Sequence, residues 1–216
     1  IPDNNNQNYA EFGYYHNDKW VVNKKLKFTL PAPLLEEKEA ILKEINKITV
    51  SIVGNNSNIS NKPINLKIYS KSIPNLTLVD LPGLTMVACT DKGQPKDIKD
   101  KIRQLVGSYI NHSKTIILAV MPARTDLEAD IALDLIKQYD PDGLRTIGIL
   151  TKVDLMNDNT DIINYLENNV SKDLRLNYGY YAVRNRTPKE AKTMTIKQGF
   201  TIEEEYFNKH PTYNKL

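Results

Sequence analysis

At 216 residues, with 40% hydrophobic and 25% charged side chains, the chain has room for one sizeable domain with its own core, which excludes a disordered or fibrous protein. The 29 basic and 26 acidic residues leave a dispersed net charge of +3, which excludes a nucleic-acid footprint, and no apolar run approaches the ~20 residues of a membrane-spanning helix. The single cysteine, Cys89, excludes an intrachain disulfide framework; with no signal-peptide pattern at the start, the expected setting is the reducing cytosol.

In chain order, positions 1–8 are polar and Asn-rich and read as loop, within an irregular start over 1–32. A helix is predicted from Pro33, a residue suited to a first helical position, through Ile41, Ile45, Ile48 and Ile52 to Gly54. Positions 64–69 alternate as a half-buried strand does. Leu76, Thr77, Leu78 and Val79 read as a second strand, paired with the first like a hairpin.

From there strands and helices alternate. Ile98, Ile102, Leu105, Val106 and Tyr109 mark a helix, and positions 115–120 a fully buried strand. Thr125 with Glu128 has the spacing of a capping box opening the next helix, and 146–150 is another apolar strand. A helix through Ile162, Ile163, Tyr165 and Leu166 precedes a strand at 179–183. Thr201 with Glu204 reads as the cap of a last helix ending near His210-Pro211. This pattern predicts an α/β fold, a doubly wound and mainly parallel sheet with its ligand site at the carboxyl ends of the strands, in a body spanning 33–216.

Two motifs fall at such strand ends. In Asp80-Leu81-Pro82-Gly83 a carboxylate can hold Mg²⁺ through water, and a glycine lets its N–H approach a phosphate oxygen. Asp, Pro and Gly are also ordinary turn residues, and for the tetrapeptide alone that is the preferred reading. In Thr151-Lys152-Val153-Asp154 the carboxylate can accept two hydrogen bonds from guanine while the lysine stem packs over the base; the bland alternative is a capped helix start after a strand. The combination, in order and on different strands, is stronger than either part. His16, His112 and His210 are scattered, without metal spacing, and receive no role. Trp20 and the tyrosines read as packing residues.

Leu78 through Thr85, Gly93-Gln94-Pro95, Asp140-Pro141-Asp142-Gly143, Arg145 through Met156, Val183 through Thr187 and His210-Pro211 together resemble the dynamin family of GTPases, with Tyr9-Ala10-Glu11-Phe12 extending the likeness over nearly the whole chain. The resemblance implies a partial GTP-binding domain over 1–216 of the P-loop type, using GTP, GDP and Mg²⁺. It implies that Asp80 binds Mg²⁺ through water and that the Gly83 backbone senses the γ-phosphate. Thr151, Lys152 and Asp154 would recognise guanine, with Asn185 and Arg186 closing over the base and Asp126 reaching across a dimer of GTPase domains. Pro188 departs from the family pattern after Arg186 and removes a side-chain contact there. Partners implied are a second copy of the chain and, through regions outside it, membrane lipid, in a cytoplasmic protein peripherally attached to membranes that acts in remodelling or fission.

The family's G-x-x-x-x-G-K-[ST] phosphate loop and first-switch threonine do not occur in these residues. The expectation is therefore a truncated version of a longer protein, inactive alone, whose central first strand is missing and whose strands at 76–79 and 115–120 lack partners. A non-catalytic guanine-nucleotide-binding or interaction module is the competing expectation.

Overall fold

The computed structural model describes residues 8–28, 35–54, 58–70, 74–85, 88–157 and 159–215. The expected loop at 1–7, the helix start at Pro33 and the turn at 55–57 lie outside the described residues. The chain forms two compact units, 1–102 and 103–216.

In the first unit, β1 (Asn8–His16) and β2 (Lys19–Phe28) form an antiparallel hairpin, so the expected irregular start over 1–32 is corrected over 8–28. Asn17 and Asp18 both have positive φ, 48° and 59°, the backbone twist that a two-residue hairpin turn demands and that Asn and Asp tolerate best after glycine. β3 (Asn65–Tyr69) joins the other side of β1, giving the order β2-β1-β3. At the bulge between Phe12 and Gly13, a Cβ on Gly13 would stand 2.2 Å from the Val21 carbonyl oxygen, so the strands can approach only with glycine there.

Ala10 and Phe12 are buried on one face of β1. On the other, the buried Glu11 carboxylate accepts from Trp20 Nε1 at 3.0 Å and Lys25 Nζ at 3.1 Å, while Tyr9 stacks on Tyr69 with ring centroids 4.4 Å apart. Helix α1 (Leu35–Val53) carries the half-buried Ile41, Ile45, Ile48 and Ile52 and is tied to β2 by the Glu44–Lys24 ion pair. The Gly54 N–H closes α1 on the Val50 carbonyl from φ 72°, the left-handed stop expected of a glycine.

The expected strand over 76–79 does not form: these residues belong to no ladder, and Leu76, Leu78 and Val79 are 66%, 73% and 57% exposed. Apolar alternation cannot make a strand without a neighbour to take its N–H and C=O groups. The hairpin expected between this segment and 64–69 is replaced by the β3–β1 pairing.

Helix α2 (Ile98–Ile110) buries Ile98, Ile102, Leu105, Val106 and Ile110 at helical spacing. In the second unit β4 (Ile117–Pro122), β5 (Thr146–Thr151) and β6 (Tyr180–Val183) form the parallel sheet, in that order. Ile117, Ala119, Met121, Thr146, Gly148, Leu150 and Tyr180 supply its buried face. Full burial contributes about 1.5–3 kcal/mol for each large aliphatic side chain among them. Gly148 leaves room for Tyr180, whose ring a Cβ would meet at 2.2 Å.

β4 is an edge strand among the described residues and is buried on one face only. Leu118 and Val120 are 51% and 60% exposed, which corrects the expected full burial.

Helix α3 (Ile131–Tyr139) is capped by Asp130, whose side chain accepts from the Ala132 N–H at 2.8 Å, and not by the expected Thr125–Glu128 box. Two short helices follow, α4 (Ile163–Leu166) and α5 (Glu190–Thr193). The final helix α6 (Ile196–Lys209) opens on a reciprocal capping box between Thr195 and Gln198. Thr201, expected to be its cap, lies inside it and donates to the Lys197 carbonyl at 3.3 Å.

Candidate functional site

β5 delivers Thr151-Lys152-Val153-Asp154 to the carboxyl edge of the parallel sheet. Thr151 Oγ1 donates to the Met121 carbonyl at 3.1 Å and so ties the end of β5 to β4. Lys152 then takes φ 60° and ψ 31°, the left-handed region that a side chain with a Cβ occupies at a cost of about 1–2 kcal/mol. That reversal turns the chain into a one-turn 3₁₀ helix, Val153–Leu155, with Val153 buried beneath it. Asp154 is half-buried, and no donor among the described residues engages its carboxylate. A left-handed residue with a Cβ persists only where its surroundings hold it.

The turn is held from α6: the Tyr206 hydroxyl donates to the Val153 carbonyl at 3.2 Å. Burial, and after it the nearby Asp154 charge, pushes the Tyr206 hydroxyl pKa above its ordinary value. Tyr213 is buried and its hydroxyl lies 4.0 Å from Met156 Sδ, at the other end of the turn.

The loop after β6 carries Asn185 and Arg186. Asn185 is exposed. Arg186 donates through Nη1 to the Met194 carbonyl, and its stem lies on α6 where a Cβ at Gly199 would come within 2.9 Å of Arg186 Cγ and Cδ. Arg184 donates through Nη2 to Glu190 Oε1 at 2.9 Å, while its main-chain N–H donates to Glu203 Oε1 at 2.9 Å. The Glu190 carboxyl is held below its ordinary range, first by the main-chain N–H of Thr187 and then by Arg184. The loop is thus pinned to its own helices rather than open.

Asp126 is exposed at the head of the 3₁₀ turn Leu127–Ala129. Behind it Arg124 pairs with the buried Asp130 at 2.6 Å, and the buried Tyr165 hydroxyl accepts from the Leu127 N–H at 3.3 Å. That hydroxyl has one proton for two acceptors, the Thr125 carbonyl at 3.3 Å and Glu128 Oε2 at 3.2 Å. Glu128, assigned by spacing to a helix cap, instead anchors this loop.

On the other motif, Asp80 and Gly83 are exposed, and Asp80 has no partner among the described residues. Gly83 does not have a left-handed φ, and a Cβ there would stand in open space. Nothing in its own surroundings requires glycine. Among the described residues no group of three or more metal-ligating side chains forms, which corrects nothing in the expectation, since one carboxylate acting through water needs no such group. No described helix is long and apolar enough to cross a membrane.

The family model described as "Dynamin family" matches residues 9–153, taking in Asp80 to Gly83 and Thr151 to Val153, and one described as "Dynamin central region" matches 161–216. The chain belongs to the dynamin family. It is 46% identical over 179 residues to Dynamin of Drosophila melanogaster, covering 82% of this chain and 20% of that protein. It is 45% identical over 174 residues to human Dynamin-3, covering 80% and 19%. It is 44% identical over 185 residues to Vacuolar protein sorting-associated protein 1 of Schizosaccharomyces pombe, covering 85% and 26%. This dynamin-family chain therefore spans about a fifth to a quarter of the length of these relatives.

The site residues that sequence reasoning missed are those that hold the dynamin motifs: Tyr206, Glu203, Arg184 and Tyr165. One signal was legible: Gly199, Glu203 and Tyr206 recur at helical spacing on a single face of α6 and are not a plain apolar stripe.

Proposed function

We propose that this chain is part of the GTP-binding domain of a dynamin-like GTPase, which hydrolyses GTP in the complete protein and couples it to membrane remodelling or fission. The observation that carries this reading is the strained turn at Lys152 presenting a half-buried, unengaged Asp154 at the edge of a parallel sheet. Asp154 accepts from N1 and the exocyclic amine of guanine, Thr151 fixes the start of the turn, and the Lys152 stem covers the base plane. Asn185, exposed beside the pinned Arg186, closes the base from the second loop.

Asp80 fits Mg²⁺ held through water, because its carboxylate is exposed and has no competing partner among the described residues. When bound, the ion supplies charge neutralisation for the transferring phosphate. Gly83 offers its main-chain N–H to the γ-phosphate, a role consistent with a glycine that its own fold does not demand. The exposed Asp126, on a loop anchored by Arg124 and Tyr165, serves a contact between two GTPase domains, and lipid is engaged by regions outside this chain.

The test uses the full-length protein. Asp154→Asn converts an acceptor into a donor and is expected to move nucleotide preference from guanine to xanthine by more than ~10-fold. Unaltered base preference would remove Asp154 as the reader. Guanine-nucleotide binding without phosphate release from GTP would instead favour the non-catalytic module, a reading that the irregular, exposed segment around Asp80 keeps open.

A further inference from the structure

Two loops from different strands must keep a fixed spacing if they are to hold the two sides of one base, and the structure shows what both are fastened to. Gly199, Glu203 and Tyr206 fall at positions i, i+4 and i+7 of α6, so they share one helix face. Gly199 receives the stem of Arg186, Glu203 accepts the main-chain N–H of Arg184 at 2.9 Å, and Tyr206 donates to the Val153 carbonyl at 3.2 Å. The first two contacts hold the loop after β6; the third holds the turn that carries Asp154.

We propose that Tyr206 is a positioning residue for base selectivity: from the α6 face that also fixes the second loop, its hydroxyl sets the turn on which Asp154 is presented. The proposal rests on Asp154 being the guanine reader.

The chemistry is local and directional. Val153 is buried, and its carbonyl lies one residue from Asp154 and one from the left-handed Lys152. A turn held in a sparsely populated conformation persists only when its surroundings over-determine it. The Tyr206 hydroxyl is the side-chain donor on that carbonyl, which otherwise takes the Met156 N–H at a longer 3.4 Å. Tyr206 is in turn set by its neighbours: its ring meets Phe207 edge-on at 5.2 Å and lies 5.5 Å from His210, which stacks on Tyr213 at 4.1 Å. Removing only the hydroxyl leaves those ring contacts and frees the turn.

The experiment measures dissociation constants of GDP and inosine diphosphate for the full-length protein and its variants. Inosine diphosphate lacks the exocyclic amine, so the ratio of the two constants reports how well Asp154 is aimed. Tyr206→Phe is expected to narrow that ratio by ~3-fold or more, the range of one neutral hydrogen bond, while the melting temperature stays within a few degrees. In an Asp154→Asn background the same substitution is expected to leave the ratio unchanged, because the two act as a unit. Glu203→Ala, which frees the other loop, is expected to weaken both nucleotides about equally.

A GDP-to-inosine-diphosphate ratio unmoved by Tyr206→Phe but collapsed by Asp154→Asn overturns the role of Tyr206 and leaves the reader intact. A ratio that Asp154→Asn does not move overturns both.

Discussion

The turn at 151–156 and the segment at 74–85 carry the two sequence motifs and are built in opposite ways. The first grows out of a strand paired on both sides, is strained at Lys152, and is held by Thr151 below and Tyr206 above. The second belongs to no ladder and exposes Leu76, Leu78 and Val79. Under the proposed roles, selectivity for a base needs acceptors aimed in advance, which suits a turn anchored on the buried Val153. A phosphate-sensing glycine needs only an open approach. The difference predicts that substitutions in the backbone of the first motif change stability and nucleotide binding together, whereas those at the second separate them.

The largest expected effect lies at the other end of β5, at Asp140. Its buried carboxylate accepts from the main-chain N–H groups of Leu144 at 3.0 Å and Arg145 at 3.1 Å, and from Thr146 Oγ1 at 2.6 Å, fixing the entry into β5. Arg145 adds bonds to the Thr115 and Tyr139 carbonyls at 3.1 and 2.7 Å, and Gly143, with φ 64°, fits because a Cβ would meet the Arg175 carbonyl at 2.5 Å. Asp140→Ala leaves three donors without their acceptor and is expected to destabilise the protein by about 3 kcal/mol, read from urea unfolding.

The same carboxyl gives a pH signature. Burial raises its pKa, but the Thr146 hydroxyl and the two main-chain N–H groups outweigh it, so the folded value lies below the ordinary one. A group lowered in the folded state contributes stability that is fully present above its unfolded pKa, about 3.9, and that drains away as pH falls through the folded value. Asp140→Asn should flatten that acid limb, and an unaltered limb would mean that other carboxylates carry it.

Lys152 is the intermediate case. Lys152→Gly removes the left-handed strain, worth about 1–2 kcal/mol, and adds unfolded-chain entropy of about 0.5–1 kcal/mol, so a net gain of roughly 0.5–1 kcal/mol is expected together with weaker guanine-nucleotide binding. A lower urea midpoint in Lys152→Gly would show that the lysine conformation is not strained and that the turn is an ordinary packing feature.

The contrast between the two motifs also explains what was legible in the sequence. β4, β5, β6 and α1 were readable because apolar runs, strand-end motifs and the Gly54 stop are local signals. β1 and β2 were not, because Lys19, Lys24, Lys25 and Lys27 interrupt the apolar pattern of a hairpin whose outer face is packed by cation and ring contacts, with Lys25 Nζ 3.4 Å above the Tyr9 ring. The Asn17-Asp18 pair was the available turn signal. Leu76 to Val79 failed in the opposite direction: the pattern of a strand was present, but a strand is a property of two neighbours. Spacing alone suggested capping boxes at Thr125 and Thr201, which open no helix, whereas the reciprocal bonds are made by Thr195 with Gln198 and by Thr187 with Glu190. Both motifs were visible, while the supports Tyr206 and Glu203 lie far along the chain, and the helical spacing that puts them on one face of α6 does not say what that face holds.

The smallest expected change in stability is at Gly83, and it separates the two regions most sharply. Its φ is not left-handed and a Cβ there would meet no atom within 4 Å, so Gly83→Ala adds a methyl group to open space. The melting temperature should stay within the shift of about 0.5 kcal/mol usual for a surface substitution. If the Gly83 N–H must approach a phosphate oxygen, the same methyl group should cut GTP turnover by the full-length protein ~10-fold or more, since a lost transition-state donor costs at least that much. GDP affinity, which depends on the base and not on the γ-phosphate, should hold. Turnover that survives Gly83→Ala would reassign the tetrapeptide to the turn for which Asp, Pro and Gly are already the favoured residues, and the site would then rest on the guanine reader alone.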